Sequence, residues 1–295
     1  MLYFILTLFF YSTLEIASKP LMGFMDPFLL TLVRFLIGIF VLLIFIFLRG
    51  QEKELLKITG KQLQKLAFLG CLNIFFSMSM LQMAIKTTSA ATAAVVFCSN
   101  PLFVLLFSII NGDEKANFKN FIPIIFGIAG TYFVMTDKGV VIDYGVIYAL
   151  LASISFGLFT VMNKKLLKEL HSLTINVASF FFGILVLFIF MLLSGKGVAI
   201  GSFLEYGFKS TSLVLYLGII VSGIAYITFF KTLQRYSAVS SSYMFLLKPS
   251  VATILAIMLL GERVGLNFWI GMVMIATGGI IIIYRYHQDH PGTGI

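Results

Sequence analysis

Residues 84–114, AIKTTSAATAAVVFCSNPLFVLLFSIINGDE, are answered further along the chain by residues 233–263, LQRYSAVSSSYMFLLKPSVATILAIMLLGER. A shift of 148 residues lays Ser89-Ala90 on Ser237-Ala238, Phe97 on Phe245, Pro101 on Pro249, Glu114 on Glu262 and Gly130 on Gly278. Each copy opens an apolar run with Ser-Ala, carries a proline in mid-run and leaves through a glutamate. That shared order marks a duplication. Each run is about 20 residues, the length a helix rising 1.5 Å per residue needs to cross a bilayer's hydrocarbon.

Counting such runs outward predicts ten spans, near 2–22, 27–49, 62–84, 89–111, 119–136, 143–163, 174–194, 210–232, 239–260 and 266–286. Breakers separate them: Met25-Asp26-Pro27, Asn111-Gly112-Asp113-Glu114, Asp137-Lys138-Gly139 and Gly261-Glu262-Arg263. The first run, Leu2 to Tyr11, has no basic residue ahead of it and leads into Glu15 and Lys19, so it reads as a span rather than a cleavable signal. No gap is long enough for a soluble domain. Ten spans in two copies give five each, an odd number, so the second copy enters the membrane from the opposite face. The predicted architecture is all-α, with two inverted five-helix repeats, 1–136 and 137–295, the second ending in a short cytoplasmic tail.

Composition agrees. The 295 residues are 60% hydrophobic and 11% charged, with a mean hydropathy of +1.04, against about 25% charged for soluble domains. The net charge of +9 is spread singly between apolar runs and forms no stripe for nucleic acid. With the N-terminus inside, the inner gaps collect Arg49, Lys53, Lys57, Lys61, Lys65, Lys115, Lys119, Lys164, Lys165, Lys168, Lys231, Arg235 and Arg285. The outer gaps collect only Lys19, Lys86, Lys138, Lys196, Lys209 and Arg263. The positive-inside rule therefore places both termini in the cytoplasm. Cys71 and Cys98 fall within apolar runs, and His171, His287 and His290 lie in a loop and the tail. Neither set has metal-ligand spacing, and no cofactor is expected.

The paired stretches resemble the signatures of the EamA family in the drug/metabolite transporter superfamily, as do Leu32 to Gly38, LVRFLIG, and the closing Gly278-Gly279. The first copy departs from the common form, with Asn111-Gly112-Asp113-Glu114 in place of a plain Leu-Gly-Glu. The resemblance implies ten helices, inverted halves, a central cavity and movement of amino acids or other small metabolites across a prokaryotic plasma membrane.

Ionisable groups inside spans cost about 2.5–3.5 kcal/mol each on insertion scales, so those present are candidates for function. Glu15, Arg34 and Lys248 qualify. Glu15 and Arg34 lie at similar depth on adjacent helices and could simply form a salt bridge; Lys248 could equally pair with Glu15. Lys248 precedes Pro249 at mid-span, where proline frees a carbonyl one turn earlier, and its repeat mate Asn100 precedes Pro101. Substrate or coupling-ion contact is expected at Glu15, Arg34, Asn73, Asn100, Tyr226, Tyr243 and Lys248, with Gln82 a further candidate and hinges at Pro101 and Pro249. The plainer reading of the uncharged ones is helix-to-helix glue. Gly127 to Thr131 and Gly218 to Ser222 have helix-packing spacing, Gly271 to Ile275 does not, and Glu114 and Glu262 read as solvated or capping groups.

No Walker-type phosphate loop is present. The predicted function is therefore secondary active transport by alternating access, exporting small metabolites such as amino acids, with protons coupled through Glu15, in a monomer embedded in lipid. Two alternatives stand beside it: a lipid-translocating or channel-like protein, and a membrane-embedded enzyme, for which clustered His, Cys or acidic groups are lacking.

Overall fold

The computed structural model describes residues 2–114, 118–137, 143–195, 204–205, 207–242 and 244–289. Among these every regular element is helical: α1 (Leu2–Ser12), α2 (Leu14–Ser18), α3 (Pro27–Leu48), α4 (Glu52–Leu56), α5 (Gly60–Gly70), α6 (Ser79–Thr87), α7 (Ala90–Phe97), α8 (Asn100–Ile110), α9 (Phe118–Met135), α10 (Tyr144–Leu166), α11 (Ser172–Leu193), α12 (Gly207–Tyr216), α13 (Ala225–Arg235), α14 (Ala238–Ser242), α15 (Met244–Leu260) and α16 (Leu266–Asp289).

Local chemistry sets where the helices begin. Asp26 caps α3 by accepting from the Phe28 and Leu29 amides at 2.8 and 3.3 Å, with Pro27 in the first turn, where no amide is needed. Asp143 opens α10 through the Gly145 amide, and Thr59 with Gln62 forms a capping box on α5. Ser89 accepts from the Thr92 amide and Ser237 from the Ser240 amide, both at 3.0 Å.

Two π-helical stretches, Cys71–Met78 and Leu217–Ile224, join α5 to α6 and α12 to α13. The shift to i→i+5 bonding is seen at their ends, where the Ser79 amide reaches the Ile74 carbonyl and the Ala225 amide the Ile220 carbonyl. Each stretch meets a long helix in close contact. On α3, a Cβ at Gly38 would come within 2.9 Å of Ser222 Cβ, and on α11 a Cβ at Gly183 would run into the backbone of Gly70. Along α9 and α16, Gly130 faces Gly271 just as tightly. The failed spacing at Gly271 to Ile275 thus hides a real packing glycine, because the small residue it needs lies on the neighbouring helix.

Among the described residues, seven helical segments are long and apolar enough to cross a membrane: Pro27–Leu48, Gly60–Thr87, Ala90–Ile110, Tyr144–Leu166, Ser172–Leu193, Gly207–Arg235 and the stretch Ala238–Leu260. Of the other three runs, the first is split at Thr13 and ends in a 3-10 turn at Lys19–Gly23. The fifth contains Pro123 within α9, and it and the tenth contribute shorter apolar segments, Ile125–Val134 and Leu266–Ile281.

Polarity is turned inside out. Phe40, Phe47, Leu48, Ile110, Phe208 and Met258 are exposed, whereas Glu15, Arg34, Asn73, Asn100 and Lys248 are buried. Such an apolar exterior suits lipid.

Candidate functional site

The site is built around α2, α3 and α15. Lys248 Nζ donates to Glu15 Oε1 at 2.5 Å, with side-chain exposures of 2% and 0%, and its ammonium sits 5.0 Å from the Phe97 ring centroid. That contact decides between the two partners open to Glu15. Arg34 is not bonded to it. Among the described residues its Nε, Nη1 and Nη2 have no hydrogen-bond partner, and its Cζ lies 4.8 Å over the Phe35 ring. Of the two pairings open to Glu15, the one with Lys248 is formed and the one with Arg34 is not. Similar depth brings Arg34 within electrostatic range of Glu15, but the Lys248 ammonium takes the contact.

Asn73, in the first π stretch, and Tyr226, at the start of α13, are brought together across 153 positions of sequence: the Tyr226 hydroxyl donates to Asn73 Oδ1 at 2.9 Å. Gln82 Nε2 donates to Ser18 Oγ at 3.1 Å, tying α6 to α2. Asn100 behaves otherwise. Its amide donates at 3.2 Å to the Phe97 carbonyl, the group Pro101 cannot serve, so it mends its own helix instead of reaching across as Lys248 does. The two prolines differ as well. Pro101 follows a break between α7 and α8, whereas Pro249 lies inside α15. Tyr243 lies outside the described residues.

Aromatic rings wall the charged centre. Tyr11 packs on Tyr226, Phe229 and Phe245 with centroids 5.7, 6.0 and 6.0 Å away, and Phe156 contacts Phe97 and Phe245. Between them Tyr11, Met78, Phe97, Tyr226 and Lys248 help to enclose a cavity of about 10 Å³, room for about one water. Tyr11 escaped the sequence reading, although its spacing of four residues from Glu15 could have flagged it as one face of a helix.

Polar contacts tie helices together at both ends of the bundle. At one, Lys19 Nζ donates to the Ile85 and Thr88 carbonyls, Thr88 to Asp143, and Glu262 accepts from the Ala90 and Ala91 amides at 2.7 and 2.9 Å. At the other, Lys164 Nζ donates to the Leu233 and Gln234 carbonyls. Lys165 lies 3.6 Å from Asp113, and Glu114, Lys164 and Ala238 help to line a pocket of about 200 Å³. Glu262 is thus a cap on a helix of the other half of the chain, which fits a carboxylate placed at a helix N-terminus.

The sequence model of the EamA-like transporter family matches residues 1–136 and 143–284. The chain belongs to that family. An "Uncharacterized transporter" of Clostridium kluyveri is 36% identical to this EamA-like chain over 289 residues, covering 95% of it and 91% of the relative. An "S-adenosylmethionine uptake transporter" of Rickettsia felis is 30% identical over 170 residues, covering 57% and 55%. A crystal structure 19% identical in sequence superposes with a TM-score of 0.72, covering 98% of both chains, and shares the fold of this EamA-like protein.

Proposed function

We propose that the chain is a secondary active transporter that exports small metabolites such as amino acids by alternating access, in exchange for protons carried through Glu15. The observation that carries this reading is the buried Lys248–Glu15 pair, with Arg34 in electrostatic range, inside a bundle with an apolar exterior. Charge held there at such cost points to a translocation path. The name of the Rickettsia felis relative adds support for a small metabolite as the cargo.

The two-repeat, ten-span reading, with units 1–136 and 137–295, draws support from details that recur at nearly the same spacing. The family match falls into two stretches, one in each half. Each half has an eight-residue π stretch in its third run, a serine cap three residues before its amide donor, and a lysine on the final carbonyls of that third run, Lys19 on Ile85 and Lys164 on Leu233. These two lysine contacts belong to opposite ends, as inversion requires. With both termini cytoplasmic, a fusion of alkaline phosphatase after residue 286 stays inactive. Activity there overturns the topology. The protein acts as a monomer, because a duplicated chain already supplies both halves.

The test of function is flux of labelled amino acids, amines and organic acids into proteoliposomes, with and without a pH gradient. Gradient-dependent movement of one class, lost in Lys248→Met, is the expected result. No movement of any class by protein that remains folded overturns transport. A second reading, lipid translocation, is favoured by the apolar groove of about 380 Å³ lined by Ser99, Leu102, Phe103, Gly127, Ile128, Thr131, Leu150 and Ile154; scrambling of a labelled phospholipid in the same vesicles would identify it.

A further inference from the structure

Charge and donor accounting at the centre narrows the substrate class, on the footing of the transport reading. Among the described residues the fully buried charged side chains are Glu15, Arg34 and Lys248. Lys248 and Glu15 cancel each other at 2.5 Å, which leaves the Arg34 charge uncompensated in the core. At Arg34 itself three donors, Nε, Nη1 and Nη2, lack partners, and the Tyr11 hydroxyl and Asn73 Nδ2 are open as well, while Glu15 Oε2, Gln82 Oε1 and Asn100 Oδ1 are acceptors left open. Arg34 lies within electrostatic range of Tyr11, Tyr226 and Glu15, and the Tyr226 hydroxyl holds Asn73 at this same place.

We infer that the transported molecule is an apolar or aromatic monocarboxylate whose carboxylate docks on the Arg34 guanidinium beside the Tyr11 hydroxyl. A planar fork of donors matches a carboxylate in two parallel hydrogen bonds, a match that an ammonium cannot make. One negative charge brings the centre to neutrality, whereas a phosphate dianion would overshoot it. Phe97, Phe156 and Phe245 line the cavity and Phe35 lies under the Arg34 guanidinium, which suits a ring or alkyl body. The cavity of about 10 Å³ is too small to hold such a body, so the rings part when it is seated.

The experiment is calorimetric titration of the purified full chain in detergent with five probes of one shape: phenylacetate, phenylacetamide, phenethylamine, phenylalanine and benzylphosphonate. Phenylacetate is expected to bind at least tenfold more tightly than the other four. Arg34→Lys, which keeps the charge but loses the fork, should weaken phenylacetate at least tenfold, or about 1.4 kcal/mol. Arg34→Met should abolish binding yet melt at a higher temperature than wild type, because it removes a buried uncompensated charge. The assignment is overturned if another probe binds as tightly as phenylacetate, if Arg34→Lys binds it normally, if Arg34→Met melts lower than wild type, or if no probe binds. Proteoliposome flux separates the two levels: movement of phenethylamine or phenylacetamide but not phenylacetate keeps transport and removes the carboxylate seat, while movement of nothing removes both.

Discussion

Asn100-Pro101 and Lys248-Pro249 occupy matching positions in the two copies of the repeated stretch, and the molecule uses them in opposite ways. In the first, the helix is interrupted, Ser99 Oγ donates to the Val96 carbonyl at 2.7 Å, and the Asn100 amide donates to Phe97. Ser99 Oγ also lies 3.0 Å from Ser153 Oγ on α10, but the Asn100 side chain bonds only within its own stretch, with its Oδ1 left without a partner. In the second, α15 continues through Pro249 and the polar side chain crosses to α2, where Glu15 fixes it. The comparison shows one copy of a motif kept for shape while the other becomes a charged centre. What separates them is whether the residue before proline can reach beyond its own helix, which a four-carbon ammonium stem does and a short amide does not.

The largest expected effect breaks the second site. Glu15→Gln leaves the Lys248 ammonium buried without a carboxylate and should cost about 3–5 kcal/mol of stability, read as a fall in melting temperature in detergent. Glu15→Gln combined with Lys248→Met should recover most of that loss, because a neutral pair replaces the ions. Additive losses in the double variant would mean that the two side chains do not depend on each other.

Next in size is Lys248→Met alone. The Arg34 charge, which also acts on Glu15, remains to offset the carboxylate, so this variant should still insert and purify while transport falls at least tenfold, about 1.4 kcal/mol. Unchanged affinity, rate and pH dependence would make the lysine a structural residue only.

Asn100→Leu tests the first site. It should lower stability by about 1 kcal/mol through the loss of one buried hydrogen bond, with flux retained. Loss of flux at unchanged stability would instead give Asn100 a part in transport and erase the contrast between the copies. The smallest effect is expected for Glu262→Gln, which keeps the shape of the cap on α7 but removes its charge, at about 0.5 kcal/mol. A larger change in flux than in stability would assign that cap to the closing of its end of the bundle.

The sequence by itself determined the membrane class, the positions of the apolar runs and the short set of polar residues within them, because all of these follow from hydropathy and spacing along one dimension. It also singled out Glu15, Arg34 and Lys248, since charge in a span is expensive wherever the chain places it. Only the tertiary structure decided that Glu15 goes to Lys248, that Asn73 meets Tyr226, and that Glu262 caps a helix in the other half, because depth in the membrane is a single coordinate and pairing depends on rotation and crossing of helices as well. The π stretches were equally hidden, since a change of hydrogen-bond register leaves no mark in composition. Arg34 carries both lessons: its cost could be read from one line of residues, but its lack of a partner became visible only when the neighbours that could have supplied one were packed elsewhere.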